Sequence, residues 1–275
     1  MRKVFGKLRR YGFWDALQYW ASKLARALFH PLLRRRTALS IRDLTMGASS
    51  VHTSPSDFLG TWTSPGQDLA TFDAEFEILE TEAIRRGQSR HFPYRITHQI
   101  ERGTSRALYA LARISHPPVV LETGVANGLS TFFLLNALKR NGTGTLHSVD
   151  IAPDVGGFLE EADKARWNLH ILDGTKESFV RLLRTLPPID FFLHDSDHSY
   201  WWHRFELRAV LGHMAPCSYI ASDDVDGSFA FLDFCGEVGA RPRILLDQGK
   251  AFGLLRLEPP LVGGGAATES PSHTP

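Results

Sequence analysis

A chain of 275 residues can bury a full α/β core, and a composition of 43% hydrophobic and 22% charged residues is that of a globular protein. Two cysteines, Cys217 and Cys235, are too few for a disulfide framework and fit a reducing compartment, while no apolar run reaches the length of a membrane span. The net charge of +1 hides an asymmetry: residues 1–36 hold ten Lys/Arg against one acid, Asp15, which makes them +9 and leaves −8 for the rest.

Residues 1–36 space Phe5, Leu8, Phe13, Trp14, Leu17, Trp20, Leu24 and Leu28 largely at helical intervals among the basic residues. The pattern is a basic amphipathic helix with two uses. It can lie on an anionic membrane surface, or pack on its own domain or on a second subunit of a homo-oligomer. Lys23 and Arg26 interrupt any signal-peptide core, so the expected location is cytoplasmic, with peripheral contact at the inner membrane face. Residues 37–70, rich in Ser, Thr, Gly and Pro, read as a linker. Residues 71–118 read as a helical cap, with helices over 71–89 and 95–114 and a stop at His116-Pro117-Pro118. This cap is expected to cover the mouth of a site, where Tyr94 and His98 could face a ligand.

From 119 to 258 strands and helices alternate. Strands are expected at 119–123, 145–149, 167–172, 189–194, 218–222, 243–246 and 252–257, with a helix near 157–165 and a hairpin turn at Gln248-Gly249-Lys250. The fold class that follows is α/β: a Rossmann-like, seven-stranded, mostly parallel sheet with helices on both faces and an antiparallel last strand. Residues 259–275 read as a disordered tail.

Ligands of such sheets bind at the carboxyl ends of the strands. Acids stand at those ends: Glu122, Asp150, Asp173, Asp195 and Asp223. After the first strand, Gly124 and Gly128 give Gly-x-x-x-Gly, without the middle glycine by which a dinucleotide fold approaches a pyrophosphate. Glu122 beside the turn suits a cation better than a phosphate, and Asp150 can hold both hydroxyls of a ribose. A sulfonium nucleoside with an amino acid tail meets that description. The glycine spacing and the lack of a hydride-transfer set exclude an NAD-dependent dehydrogenase. No Asn-Pro-Pro-Tyr-like motif points to base flipping, so no nucleic-acid partner is expected.

Glu122-x-Gly-x-x-x-Gly-x-Ser130 with Asp150 resembles the first two motifs of class I S-adenosylmethionine-dependent methyltransferases. Ile189-Asp-Phe-Phe-Leu-His-Asp-Ser-Asp-His-Ser-Tyr200 resembles the Asp-Gly-x-His-Ser-Tyr signature of the subgroup that includes macrocin and other sugar O-methyltransferases. The resemblance covers roughly residues 95–257. Two departures stand out: Ser196 replaces the signature glycine, and Ala215-Pro-Cys217 replaces Pro-Gly-Gly before the fifth strand. The resemblance implies S-adenosylmethionine as cofactor, held by Glu122, Gly124, Gly128, Ser130, Asp150, Asp173 near the adenine, and Asp195.

Methyl transfer to an alcohol requires removal of a tightly held proton, for which a metal that acidifies the hydroxyl is useful. Asp195, Asp223 and Asp224 offer an oxygen-only set suited to Mg²⁺, and metal-dependent O-methyltransferases place acids at these points. His198, three residues after Asp195, can accept the proton, the role the resemblance gives it. Asp197 reads as a helix cap or an orienter of His198. The expected activity is O-methylation of a small hydroxylated acceptor such as a sugar or natural product. The alternative is a non-catalytic, cofactor-binding accessory protein docked through its basic N-terminus to a membrane or enzyme complex.

Overall fold

The computed structural model describes residues 38–60, 68–95 and 99–258; the basic helix read over 1–36, residues 61–67 of the linker, His98 and the tail at 259–275 lie outside these. The described elements are α1 (Ile41–Gly47), β1 (Ser50–His52), α2 (Pro55–Leu59), α3 (Leu69–Ser89), α4 (Arg102–Ser115), β2 (Val119–Thr123), α5 (Leu129–Asn141), β3 (Thr145–Asp150), β4 (Trp167–Ile171), α6 (Lys176–Leu183), β5 (Ile189–His194), α7 (Tyr200–Leu211), β6 (Met214–Ser222), α8 (Ala230–Glu237), β7 (Arg243–Asp247) and β8 (Lys250–Arg256).

The strands form one sheet of eight, in the order β1-β7-β8-β6-β5-β2-β3-β4, parallel except where β8 runs against β6 and β7. The mostly parallel sheet and its antiparallel last strand agree with the sequence reading; the strand count of seven does not. The eighth strand, β1, comes from the stretch read as linker. There Ser40 and Asp43 form a capping box that starts α1, and Ser54 caps α2 with Pro55 in its first turn. Between the two helices β1 pairs in parallel with β7, and Ser49 donates from both N–H and Oγ to Pro242 O, at 2.7 and 3.0 Å.

Helices cover both faces. One core layer joins Phe58, Phe76, Leu108 and Phe132 of α2–α5 to Val120, Phe191 and Phe252 of the sheet. The other joins Leu44, Phe179, Leu207 and Phe234 of α1, α6, α7 and α8 to Leu121, Phe192 and Ile220. Helices α3 and α4 are therefore part of the core and do not form a cap over the mouth. The segment that links them reaches the site instead, through Tyr94 and Gln99. The helix expected near 157–165 is a short 3₁₀ segment, Glu161–Arg166, after a loop in which Gly156 and Phe158 bond to the turn that follows β2. Helix α4 ends in the left-handed residue His116, whose N–H caps Ala112 O, and the two following prolines cannot continue the helix.

The chain moves outward from β2 to β3 and β4, then returns to lay β5 on the other side of β2. This reversal opens a crevice at the carboxyl ends of β2 and β5. Thr123 is level with His194, and His194 with Ser222. The next residue of each chain, Gly124, Asp195 and Asp223, consequently stands at the same edge. Because β8 is antiparallel, its first residue, Lys250, reaches that edge too.

Candidate active site

The crevice encloses about 520 Å³, within the range of roughly 300–1,000 Å³ usual for small-molecule sites. Its walls come from the loops after β2, β3, β4, β5 and β6, with Tyr94, Gln99 and Lys250 closing the sides.

Gly124 has φ +86°, and a Cβ there would lie 2.0 Å from the carbonyl oxygen of Asp195. Only glycine lets the two loops pass so closely. Asp150 anchors this turn. Its Oδ2 accepts from Val125 N–H at 2.9 Å and Ala126 N–H at 3.4 Å, and its Oδ1 from Ile151 and Ala152 N–H at 2.7 and 3.0 Å. These four donors fix the carboxylate at the rim of the crevice, the 3.4 Å contact from Ala126 being the longest of them. Tyr94 is clamped above the turn, its N–H donating to Asn127 Oδ1 and its carbonyl accepting from Asn127 Nδ2.

Four of the predicted cofactor residues do not line the cavity. Glu122 is fully buried behind the turn, where it accepts from Ser130 Oγ at 2.5 Å, Ser148 Oγ at 2.7 Å and Thr131 Oγ1 at 2.8 Å. Burial pushes its carboxyl up to about 7 against the pull of those hydroxyls. It joins α5 to β2 and β3 and does not line the crevice, and Ser130 is one of its partners. Gly128, φ +88°, is needed because Gly156 crosses it: a Cβ would meet Gly156 Cα at 3.0 Å. Asp173 is exposed and accepts from Thr175 N–H and Oγ1. Hydrogen bonds from the Ser178 and Thr175 side chains lower its carboxyl to about 2. It is a turn and helix-start residue; its neighbour Gly174 lines the cavity instead.

At the other end Asp195, Asp223, Asp224 and His198 do converge. His198 Nε2 lies 3.6 Å from Asp195 Oδ1 and 3.9 Å from Asp224 Oδ2, ion-pair contacts too long for hydrogen bonds. Burial disfavours the charged ring, but Asp195, then Asp224 and Asp223, outweigh it and raise His198 to about 9. Burial holds the Asp195 carboxyl above its usual range, with His198 opposing. Asp223 is 3% exposed, and burial together with the charges of Asp195 and Asp224 raises it well above the carboxylate range. Asp197 lines the cavity and accepts from Ser199 N–H just ahead of α7.

Two groups that line the crevice were not visible as such in the sequence. Lys250 Nζ lies 3.2 Å from Asp224 Oδ1 and 3.0 Å from Glu101 Oε1. Glu206, buried on α7, accepts from Thr123 Oγ1, Ser196 Oγ and Trp202 Nε1, each at 2.8 Å, and burial raises it to about 7. Ser196, in place of the signature glycine, therefore spends its hydroxyl on Glu206. The signal for Glu206 was an acid beside the apolar positions Leu207 and Val210 of one helix. For Lys250 it was the antiparallel turn of the last hairpin.

Among the described residues no three acids or histidines are gathered as a ready ligand set for a metal; His198 and Lys250 stand among the three carboxylates. One observation fits a cation there: Asp223 Oδ1 is buried with no hydrogen-bond partner, in a site whose donors are all oxygens.

Residues 121–225 match the family described as "Methyltransferase domain". No curated protein matches the chain. Among solved structures, a Klebsiella pneumoniae protein assigned as an O-methyltransferase is 17% identical, with 74% of this chain and 96% of that one covered and a TM-score of 0.50. Cofactor-bound Rv0187 from MTB is 16% identical over 74% and 96% of the two chains, at a TM-score of 0.51. These likenesses are of fold. Residues 121–225 thus match a methyltransferase domain, and the fold that carries them is shared with solved proteins described as an O-methyltransferase and as cofactor-bound Rv0187.

Proposed function

We propose that the protein transfers the methyl group of S-adenosylmethionine to a hydroxyl of a small acceptor such as a sugar or natural product, with assistance from Mg²⁺. The observation that carries this reading is the polarity of the crevice: the Asp150 carboxylate lies at one end and His198 among three carboxylates at the other, with the Gly124 turn between. The cofactor supplies an already activated methyl group. The chain has to bind it, align the acceptor and take up a proton.

Asp150 would hold the ribose hydroxyls, and Gly124 lets the ligand lie against backbone. Val149, Leu172 and Phe179 offer an apolar wall beyond Asp150. With a cation offsetting the charge of the three carboxylates that raise it, His198 would be neutral and accept the acceptor's proton at Nε2, the nitrogen that faces Asp195 and Asp224. Asp195, Asp223 and Asp224 would hold the divalent cation, which acidifies a bound hydroxyl. No observation within the described residues favours the accessory-protein reading.

Calorimetry with S-adenosylmethionine, followed by turnover on a panel of hydroxylated acceptors, tests this. Asp150→Ala is expected to abolish cofactor binding. His198→Ala is expected to keep it and lose turnover by about 10²–10⁴-fold. Undiminished turnover in His198→Ala rules out the base, and wild-type protein that ignores S-adenosylmethionine sinks the whole reading.

A further inference from the structure

Lys250 is held where a metal ion would be expected to compete with it. Its backbone is fixed by the β7–β8 turn, in which Gln248 and Gly249 both have positive φ. Asp247 Oδ2 accepts from Thr104 N–H at 2.8 Å, and Ala251 N–H donates to Asp226 Oδ1 at 2.8 Å. From this rigid base the flexible four-carbon stem carries the ammonium to Asp224 on one side and Glu101 on the other. Glu101, at the N-cap of α4, has a second oxygen, Oε2, that is buried and unpartnered. The ammonium thus has a fully acidic resting place away from Asp224. Four acids, Glu101, Asp195, Asp223 and Asp224, face two basic side chains, His198 and Lys250. The orphaned Asp223 Oδ1, on a residue 3% exposed, shows that these two do not satisfy the cluster.

We propose that Lys250 is the resident counter-ion of the carboxylate cluster, and that a divalent cation binds there only as Lys250 withdraws from Asp224 onto Glu101. Lys250 then sets the cation affinity of the site and links it to the β7–β8 hairpin. A monovalent ammonium 3.2 Å from Asp224 Oδ1 and a divalent ion on the same carboxylate repel each other strongly at the low effective dielectric of a cleft. The inference rests on the cation-assisted reading above.

The test is titration of the full-length protein with Mn²⁺, read by calorimetry and by the paramagnetic resonance signal of free Mn²⁺. Lys250→Met, which keeps the stem and removes the charge, is expected to bind Mn²⁺ at least about tenfold more tightly than wild type. Lys250→Arg, which keeps the charge, is expected to show no such gain. Glu101→Gln removes the resting place and is expected to bind Mn²⁺ more weakly than wild type. Thermal melting of each variant confirms that it is folded. The proposal is overturned if folded Lys250→Met binds Mn²⁺ no more tightly than wild type, including no binding by either, or if Glu101→Gln binds it more tightly. Tighter binding by Lys250→Met without methyl transfer by the wild type would leave the counter-ion role standing and remove the proposed function. Methyl transfer by the wild type with no gain in Lys250→Met would do the reverse.

Discussion

Gly124 and Gly142 share a left-handed backbone, at φ +86° and +73°, but differ in what surrounds them. A Cβ at Gly142 would meet nothing within 4 Å, whereas one at Gly124 would run into the backbone of Asp195. Gly142→Ala should therefore cost only the left-handed strain, about 1–2 kcal/mol. Gly124→Ala should cost roughly 2 kcal/mol or more and also weaken S-adenosylmethionine binding, because the loop that must move carries the crevice wall. Urea unfolding and calorimetry on the two variants check this, and equal costs would refute the close-approach argument. The sequence showed the glycine at 124 and the strand-end acids, since both follow from strand–turn–helix punctuation. It could not separate the acids that reach the cavity from those that do not. Asp150 and Asp173 each end a strand, but Asp173 is followed by Gly-Thr and turns its carboxylate onto that turn. Glu122 is the last acid before the turn, but strand alternation sends it behind the glycine loop to the hydroxyls of Ser130, Thr131 and Ser148.

At the scale of elements, β6 shows what the departure from Pro-Gly-Gly does. The register of β5 and β6 shifts between Ile189 and Phe191, which pair with Met214 and Tyr219, so the extra residues of β6 form an irregular bend. Cys217 lies in that bend with φ +61° and an exposed side chain, a conformation in which glycine is unstrained. Cys217→Gly should raise stability by up to about 1 kcal/mol without altering cofactor affinity, measured by urea unfolding and calorimetry; a destabilised variant would show that the thiol contributes packing at the bend. Elements with long periodic patterns, such as α4 and α5, and the apolar strands β2 and β5 were legible. β1 was not, because three residues are too few for a period of two to register. Lys250 was read only as part of a turn, because its place in the site depends on which edge of the sheet the turn occupies.

Across the whole molecule, the ground beneath the site is polar but uncharged. His194 and His203 stack at 3.8 Å inside the protein, and His194 Nε2 lies 3.4 Å from Glu206 Oε2. Burial lowers His203 to about 3 and takes His194 well below its usual value, and it raises Glu206 to about 7. Below about pH 7 the proton of this group therefore sits on the acid, with both rings neutral. Glu206 binds its proton more tightly folded than unfolded, so its contribution to stability is complete below about pH 4.5 and is lost as pH rises toward about 7. The two histidines act oppositely: their neutral burial favours the fold at higher pH and is lost as pH falls below about 6.5. Glu206→Gln should therefore gain stability relative to wild type as pH rises from about 4.5 to about 7, by about 3 kcal/mol in total. Denaturant unfolding across that range measures it, and parallel pH profiles would show that Glu206 is ionised in the folded protein.

The hydrogen bonds between Ser49 and Pro242 join residues 193 positions apart. In the order in which a ribosome makes the chain, β1 emerges long before β7, the strand it pairs with in the sheet. The strands that form the cofactor half of the crevice, β2 to β5, are complete while β1 is still unpaired and Lys250 has not been made. During that interval Asp195, Asp223 and Asp224 stand at the sheet edge without the ammonium that later shares their charge. Closing the sheet at one end and balancing the site at the other are thus the same late event, the arrival of the β7–β8 hairpin.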